Sequence, residues 1–273
     1  MKKREIIMDR TGLSAILGKC STLFCGFKGF SSIKRAKDFL RMVRACLQNI
    51  QKQNDELIWA KTWDDTRRGI GWAENLPGIS PGRWAVGYNY LYVMTRILSE
   101  KEPLSVLDLG LGISSTLISS YFSSKDCDMG THTIVEQDAE WARFYMKKSK
   151  LSRFSEICLQ ECVEKDFGGC KYNAYKNLKE VVKGRKYTVI SIDGPKGSAK
   201  HSRRDILSLL PGVLENSWVI VMDDAQRDGE RATIAEIKSL LAKNTIGFCE
   251  GIYPGMTDCY VIASLDNKFL CSM

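Results

Sequence analysis

The stretch Ser105-Val106-Leu107-Asp108-Leu109-Gly110-Leu111-Gly112-Ile113-Ser114-Ser115-Thr116 decides how this chain is read. An apolar run stops at two glycines one residue apart and passes into small hydroxyl residues. That is how a buried strand hands over to a helix through a turn close enough to cradle a ligand, at the strand's carboxyl end where open α/β sheets bind ligands. Gly110 and Gly112 are therefore candidate ligand contacts, with Ser114 and Ser115 beside them at the start of the helix.

Outward from this turn the chain alternates strand and helix. The strand candidates are Leu104–Leu109, His132–Glu136, Ile157–Gln160, Tyr187–Asp193, Trp218–Asp223, Gly247–Gly251 and Cys259–Leu265. Helical stretches such as Ala139–Lys150 and Arg203–Leu210 separate the first five. Near-continuous apolar strands imply a sheet covered on both faces, and the alternation implies parallel order with right-handed crossovers. Residues 252–258 are too few for a helical crossover, so the last two strands should run antiparallel.

Before the turn, residues 34–58 read as an amphipathic helix through Phe39, Val43, Leu47 and Ile50. Residues 59–84, with Trp59, Trp63, Trp72 and Trp84, read as a structured loop, and 85–98 as a helix leading into the core. The expected organisation is a basic helical extension over 1–58, an aromatic-rich connection over 59–103 and an α/β core over 104–273.

The net charge of +8 is unevenly spread. Residues 1–53 hold 12 Lys/Arg against 3 Asp/Glu, a surplus of +9, and the remainder nets −1. A basic arm of this kind suits a membrane surface, a nucleic acid or a charged glycan, although a solvated helix face accounts for it equally well. Residues 13–30 carry two lysines and three glycines, which argues against a membrane span or a signal peptide. The ten cysteines include no CxxC pair, and there are only two histidines. Neither a zinc site nor a disulfide framework is expected; reduced, mostly buried thiols in a cytoplasmic protein, peripheral at most to a membrane, are.

The ligand of the turn is narrowed by charge. A dinucleotide fingerprint would need a third glycine where Ser115 stands. Asp108 would repel a pyrophosphate but suits the ammonium of S-adenosylmethionine (SAM). Glu136, ending the second strand in His132-Thr133-Ile134-Val135-Glu136-Gln137-Asp138, can accept both ribose hydroxyls. The segments Asp108-Leu109-Gly110-Leu111-Gly112-Ile113-Ser114-Ser115 and Ile134-Val135-Glu136-Gln137-Asp138 resemble motifs I and II of class I SAM-dependent methyltransferases, over about residues 104–265. The resemblance implies a Rossmann-like seven-stranded fold, mostly parallel with an antiparallel last strand.

Asp193, closing the fourth core strand, and Asp223 with Asp224, closing the fifth, would repel one another unless a cation lay between them. A divalent, oxygen-preferring ion such as Mg²⁺ is the expected occupant. These positions resemble the ligands of metal-dependent O-methyltransferases of the catechol and macrolide-sugar types. Asp193-Gly194-Pro195-Lys196-Gly197, followed by Arg203 and Arg204, is similar to the Asp-Gly-Pro-Arg-Gly signature of glucuronoxylan O-methyltransferases, except that Asp223-Asp224 replaces a His-Asp pair. The implied reaction is methylation of a hydroxyl on a saccharide or related acceptor. His201 and Lys196 are rival candidates for the base, beside Asp193. Arg203, Arg204 and Arg227 could bind an acidic group on the acceptor or form salt bridges. The competing readings are a nucleic-acid methyltransferase using the basic arm, an NAD-dependent oxidoreductase, and a binding protein without turnover.

Overall fold

The computed structural model describes residues 30–74, 76, 79, 85–103, 105–124 and 130–273. The start of the basic arm, Trp84, Leu104 and Cys20, Cys25 and Cys127 lie outside the described residues. The chain divides into two compact units, Met1–Gln51 and Lys52–Met273. No helix among the described residues is long and apolar enough to cross a membrane.

Helix α1 spans Phe30–Arg68 and is followed by a single turn, α2 (Gly71–Glu74). The loop expected from residue 59 is therefore helical through its first two tryptophans. Trp59 and Trp63 are four residues apart and so share a helix face. Each indole N–H has a partner: Trp59 donates to the Pro254 carbonyl (2.7 Å) and Trp63 to Thr95 Oγ1 (3.0 Å). Trp72 in α2 donates to Ser99 Oγ (3.2 Å). Aromatic area buried with its polar edge satisfied outweighs the turn signals of the surrounding glycines.

The core begins with α3 (Tyr88–Lys101) and continues as β1 (Ser105–Leu109), α4 (Ile113–Ser124), β2 (Thr131–Glu136), α5 (Ala139–Lys148) and β3 (Ser155–Leu159). A hairpin of β4 (Cys162–Phe167) and β5 (Cys170–Tyr175) follows, then the short α6 (Leu178–Val181) and β6 (Tyr187–Ile192). The stretch expected as a helix from Arg203 is a 3₁₀ turn, Arg204–Ser208, because Arg203 takes a left-handed φ of 59° and Pro211 follows closely. The chain closes with β7 (Leu214–Met222), α7 (Asp228–Lys243), β8 (Phe248–Tyr253), β9 (Cys259–Ser264) and a 3₁₀ segment, Leu265–Cys271.

The main sheet has seven strands in the order β3-β2-β1-β6-β7-β9-β8. The first five are parallel, and β9 runs antiparallel to both β7 and β8. This is the Rossmann-like arrangement with a reversed last strand. Alternation along the strands splits the core into two faces. Val106, Val189, Val219 and Val261 pack under α3 and α4, whereas Leu107, Leu109, Ile190 and Ile220 pack under the 3₁₀ turn and α7. The β4–β5 hairpin forms a separate two-stranded sheet, absent from the strands expected above.

Candidate active site

The carboxyl ends of β1, β2, β6 and β7 open into one cleft. One lobe, about 410 Å³, is lined by Gly110, Leu111, Glu136, Asp193, Lys196 and Asp223, among others. A second, about 590 Å³, shares Leu111, Glu136 and Asp193 with it and adds Gly112, Ser114, Trp141 and Tyr145.

The glycine turn is built for close approach. Gly110 has φ 109°, a conformation that L side chains rarely adopt, and a Cβ there would press on the backbone of Gly194 at 3.0 Å. Asp193 and Gly194 both donate their N–H to the Leu109 carbonyl, at 2.9 and 2.6 Å. A Cβ at Gly112 would meet nothing, and Gly112 lines the cleft.

Asp108 is placed differently from the expectation that it would sit beside the ligand. Its position on β1 puts its side chain in the α4 layer, fully buried and outside both lobes. Its oxygens accept from Ser115 Oγ (2.5 Å) and Ser191 Oγ (2.6 Å). Ser115 Oγ in turn accepts from the Gly112 N–H at 3.1 Å. Asp108 and Ser115 thus anchor the turn from beneath, and Gly110, Gly112 and Ser114 face the cleft.

Glu136 is at the junction of the two lobes. Oε2 accepts from the Leu111 N–H (2.8 Å), and Oε1 from those of Gln137 and Asp138 (2.7 Å each). The carboxylate therefore welds the glycine turn to the end of β2. Trp141, which the sequence reading did not single out, covers this corner, donating Nε1–H to the Leu111 carbonyl at 2.7 Å.

Asp193, Asp223 and Asp224 converge as expected, each offering a carboxylate oxygen within 4.8 Å of the others. Arg203 reaches into this cluster. Its Nη2 donates to Asp193 Oδ1 (3.1 Å) and Asp224 Oδ2 (2.9 Å), and Nη1 to the Asp223 carbonyl (2.8 Å). Nε lies 3.7 Å from Glu230 Oε1, a carboxylate buried without a hydrogen-bond partner. Arg227 adds a second contact to Asp224 Oδ2, at 2.7 Å. Two cations thus stand among four carboxylates. Burial and the neighbouring Asp193 and Asp224 push the Asp223 carboxyl up to about 8. Burial likewise raises Asp193, against the attraction of Arg203. Thr257, from the β8–β9 loop, donates to Asp223 Oδ1 at 2.9 Å.

The candidate bases separate. Lys196 lines the cleft. His201 does not: its Nδ1 is 2.8 Å from Glu236 Oε1, and its ring stands edge-on to Phe167 at 5.1 Å. Arg204 joins the same outer cluster through Glu236 and lies over the Phe167 ring. Of the three arginines, only Arg203 and Arg227 reach the cleft.

Tyr175, at the end of the unexpected hairpin, also lines the cleft; its N–H donates to Asp205 Oδ2 at 2.8 Å. Burial raises Asp205 to about 6 from an ordinary 3.8. Since the folded value is raised, its contribution to stability is fully present below about pH 4 and is lost as pH rises through 6. Asp205→Asn is expected to flatten that decline and to stabilise the fold by about 1–3 kcal/mol at pH 7. Urea unfolding between pH 4 and 7 measures it; an unchanged slope would refute the assignment.

No family model matches the chain, and no curated protein matches it. Among solved structures, it is similar to an O-methyltransferase from Bacillus cereus in complex with SAH, at 15% identity over 74% of this chain and 90% of that one, TM-score 0.47. It is also similar to the O-methyltransferase TomG from Streptomyces achromogenes in complex with SAM, at 11% identity over 76% and 88%, TM-score 0.46. Spermidine synthase from Thermotoga maritima overlaps at 19% identity over 59% and 53%, TM-score 0.37. Identities this low say nothing about cofactor or substrate.

Proposed function

We propose that this chain is a SAM-dependent O-methyltransferase acting on a hydroxyl of a saccharide or related acceptor, assisted by a divalent cation. The observation that carries the reading is the meeting, in one cleft, of the Gly110–Gly112 turn, the Glu136 carboxylate and the Asp193, Asp223 and Asp224 cluster. In this reading Glu136 accepts the ribose hydroxyls, and the start of α4 at Ile113–Ser114 offers free N–H groups to the amino-acid carboxylate. The saccharide class rests on the resemblance carried by residues 193–197.

The residues fit a hard divalent ion. All three donors are carboxylates, each offering an oxygen within 4.8 Å of the others, and burial together with Asp193 and Asp224 holds the Asp223 carboxyl up. When bound, such an ion lowers the pKa of an acceptor hydroxyl and fixes its direction. Arg203 holds Asp193 and Asp224 from behind, and Thr257 orients Asp223. Lys196 is the base on the cleft wall. The acceptor oxygen would bond to the methyl carbon as the carbon–sulfur bond breaks, the electron pair leaving on sulfur as S-adenosylhomocysteine, and Lys196 could take the hydroxyl proton only in its neutral amine form. The exposed residues of α1, with Phe39, Leu47 and Ile50 flanking Arg41 and Arg44 in sequence, are the part that would meet an anionic surface.

Calorimetric titration of SAM into the full chain tests this, with Mg²⁺ and then with EDTA. Micromolar affinity is expected, with a Mg²⁺-dependent change that disappears in Asp223→Ala. Absence of SAM binding in both conditions would overturn the reading. SAM binding unaffected by Mg²⁺, EDTA or Asp223→Ala would overturn the cation's part in it.

A further inference from the structure

Along β8, Cys249, Gly251 and Tyr253 fall on one face, opposite Ala263, Val261 and Cys259 of β9. The C-terminal segment is seated on that face. Tyr253 Oη donates to the Leu270 carbonyl (2.8 Å) and accepts from the Met273 N–H (3.0 Å). A Cβ on Gly251 would collide with the Cys271 carbonyl, so the glycine is what lets the chain come down at this point. This seat leaves Cys271 Sγ 3.4 Å from Cys249 Sγ. Both residues are partly exposed; Cys259 alone is fully buried among the described cysteines, contrary to the expectation of mostly buried thiols.

We propose that Cys249 and Cys271 form a modification site, a thiol pair that closes to a disulfide when met by a small disulfide oxidant such as glutathione disulfide. The two thiols lose two protons and two electrons as the sulfur–sulfur bond forms, and the oxidant's own disulfide is cleaved to two thiols. The crosslink ties the Leu265–Cys271 segment to β8 and closes the span from 249 to 271, which includes the Thr257 loop. The site lies outside both lobes of the cleft, so it stands whatever reaction the cleft performs. Burial pushes the Cys271 thiol up to about 12, so closure is slow at neutral pH and quickens as pH rises.

The test is to incubate the reduced full chain with glutathione disulfide at pH 8, alkylate, and map the peptides by mass spectrometry without reduction. The expected result is a linked pair carrying Cys249 and Cys271, released by dithiothreitol. The melting midpoint should rise by roughly 5–10 °C over the reduced protein, as a staple closing a span of this length implies, and Cys249→Ser should lose that rise. Recovery of both cysteines only as free thiols or glutathione adducts, or linked elsewhere, would overturn the proposal. The map is read on the unsubstituted chain, so it decides even if Cys249→Ser does not fold.

Discussion

Arg203→Met is expected to cost about 3–5 kcal/mol of folding stability at neutral pH, a loss typical of a buried ion cluster stripped of its cation. The substitution keeps most of the side chain's length and removes its charge. Asp193, Asp224 and Glu230 then face one another without the guanidinium that now lies 3.1, 2.9 and 3.7 Å from them. Net stabilities of ordinary domains are about 5–15 kcal/mol, so the variant should sit near the edge of folding. Arg203→Lys should lose less, because it keeps the charge without the fork that spans two carboxylates. The deficit should shrink as pH falls from 7.5 to 5: deprived of Arg203, the folded carboxylates bind protons more tightly than the unfolded ones, so acid favours the folded state. Adding Glu230→Gln should return part of the loss, since it removes a buried charge with no other partner. Urea unfolding of the four proteins at the two pH values measures all of this. An unchanged midpoint for Arg203→Met would mean that the cluster is neutral without it.

Glu136→Gln is expected to weaken SAM binding by about 10–100-fold, the worth of roughly one or two charge-assisted hydrogen bonds. The carboxylate already accepts three backbone N–H groups and still borders both lobes. A glutamine would direct an N–H₂ group at N–H donors on one side or at the ligand on the other. The turn should therefore loosen slightly as well, visible as faster amide exchange at Leu111. Calorimetry on the variant and the parent chain is the measurement. Equal affinities would overturn the proposed contact between Glu136 and the ribose.

The parallel half of the sheet was legible because its central strands are near-continuous apolar runs alternating with helical stretches. The antiparallel end followed from the short connection over 252–258. The β4–β5 hairpin escaped because β4, Cys-Val-Glu-Lys-Asp-Phe, buries none of its residues fully and so carries no core alternation. Its available mark was Gly168-Gly169, both at positive φ, the two-residue turn that hairpins favour. The carboxylate cluster was readable from strand ends alone, but its clamp was not. His201 and Arg203 both adopt positive φ, 53° and 59°, around a buried Ser202, which sends the arginine inward and the histidine out to Glu236. Nothing in the residue types announces that reversal, since neither position is a glycine. Trp59 and Trp63 show the opposite case, in which spacing of four already contained the helix that neighbouring turn residues obscured.

The contact between Gly110 and Gly194 joins the two halves of the cleft mechanically. No side chain cushions it, and two consecutive N–H groups from the Asp193 side grip the carbonyl just before the turn. A ligand that lifts the glycine turn would act on the Asp193 backbone through this contact and these hydrogen bonds. Occupancy on the β1 side would then be felt at Asp193, at the end of β6, through backbone contacts.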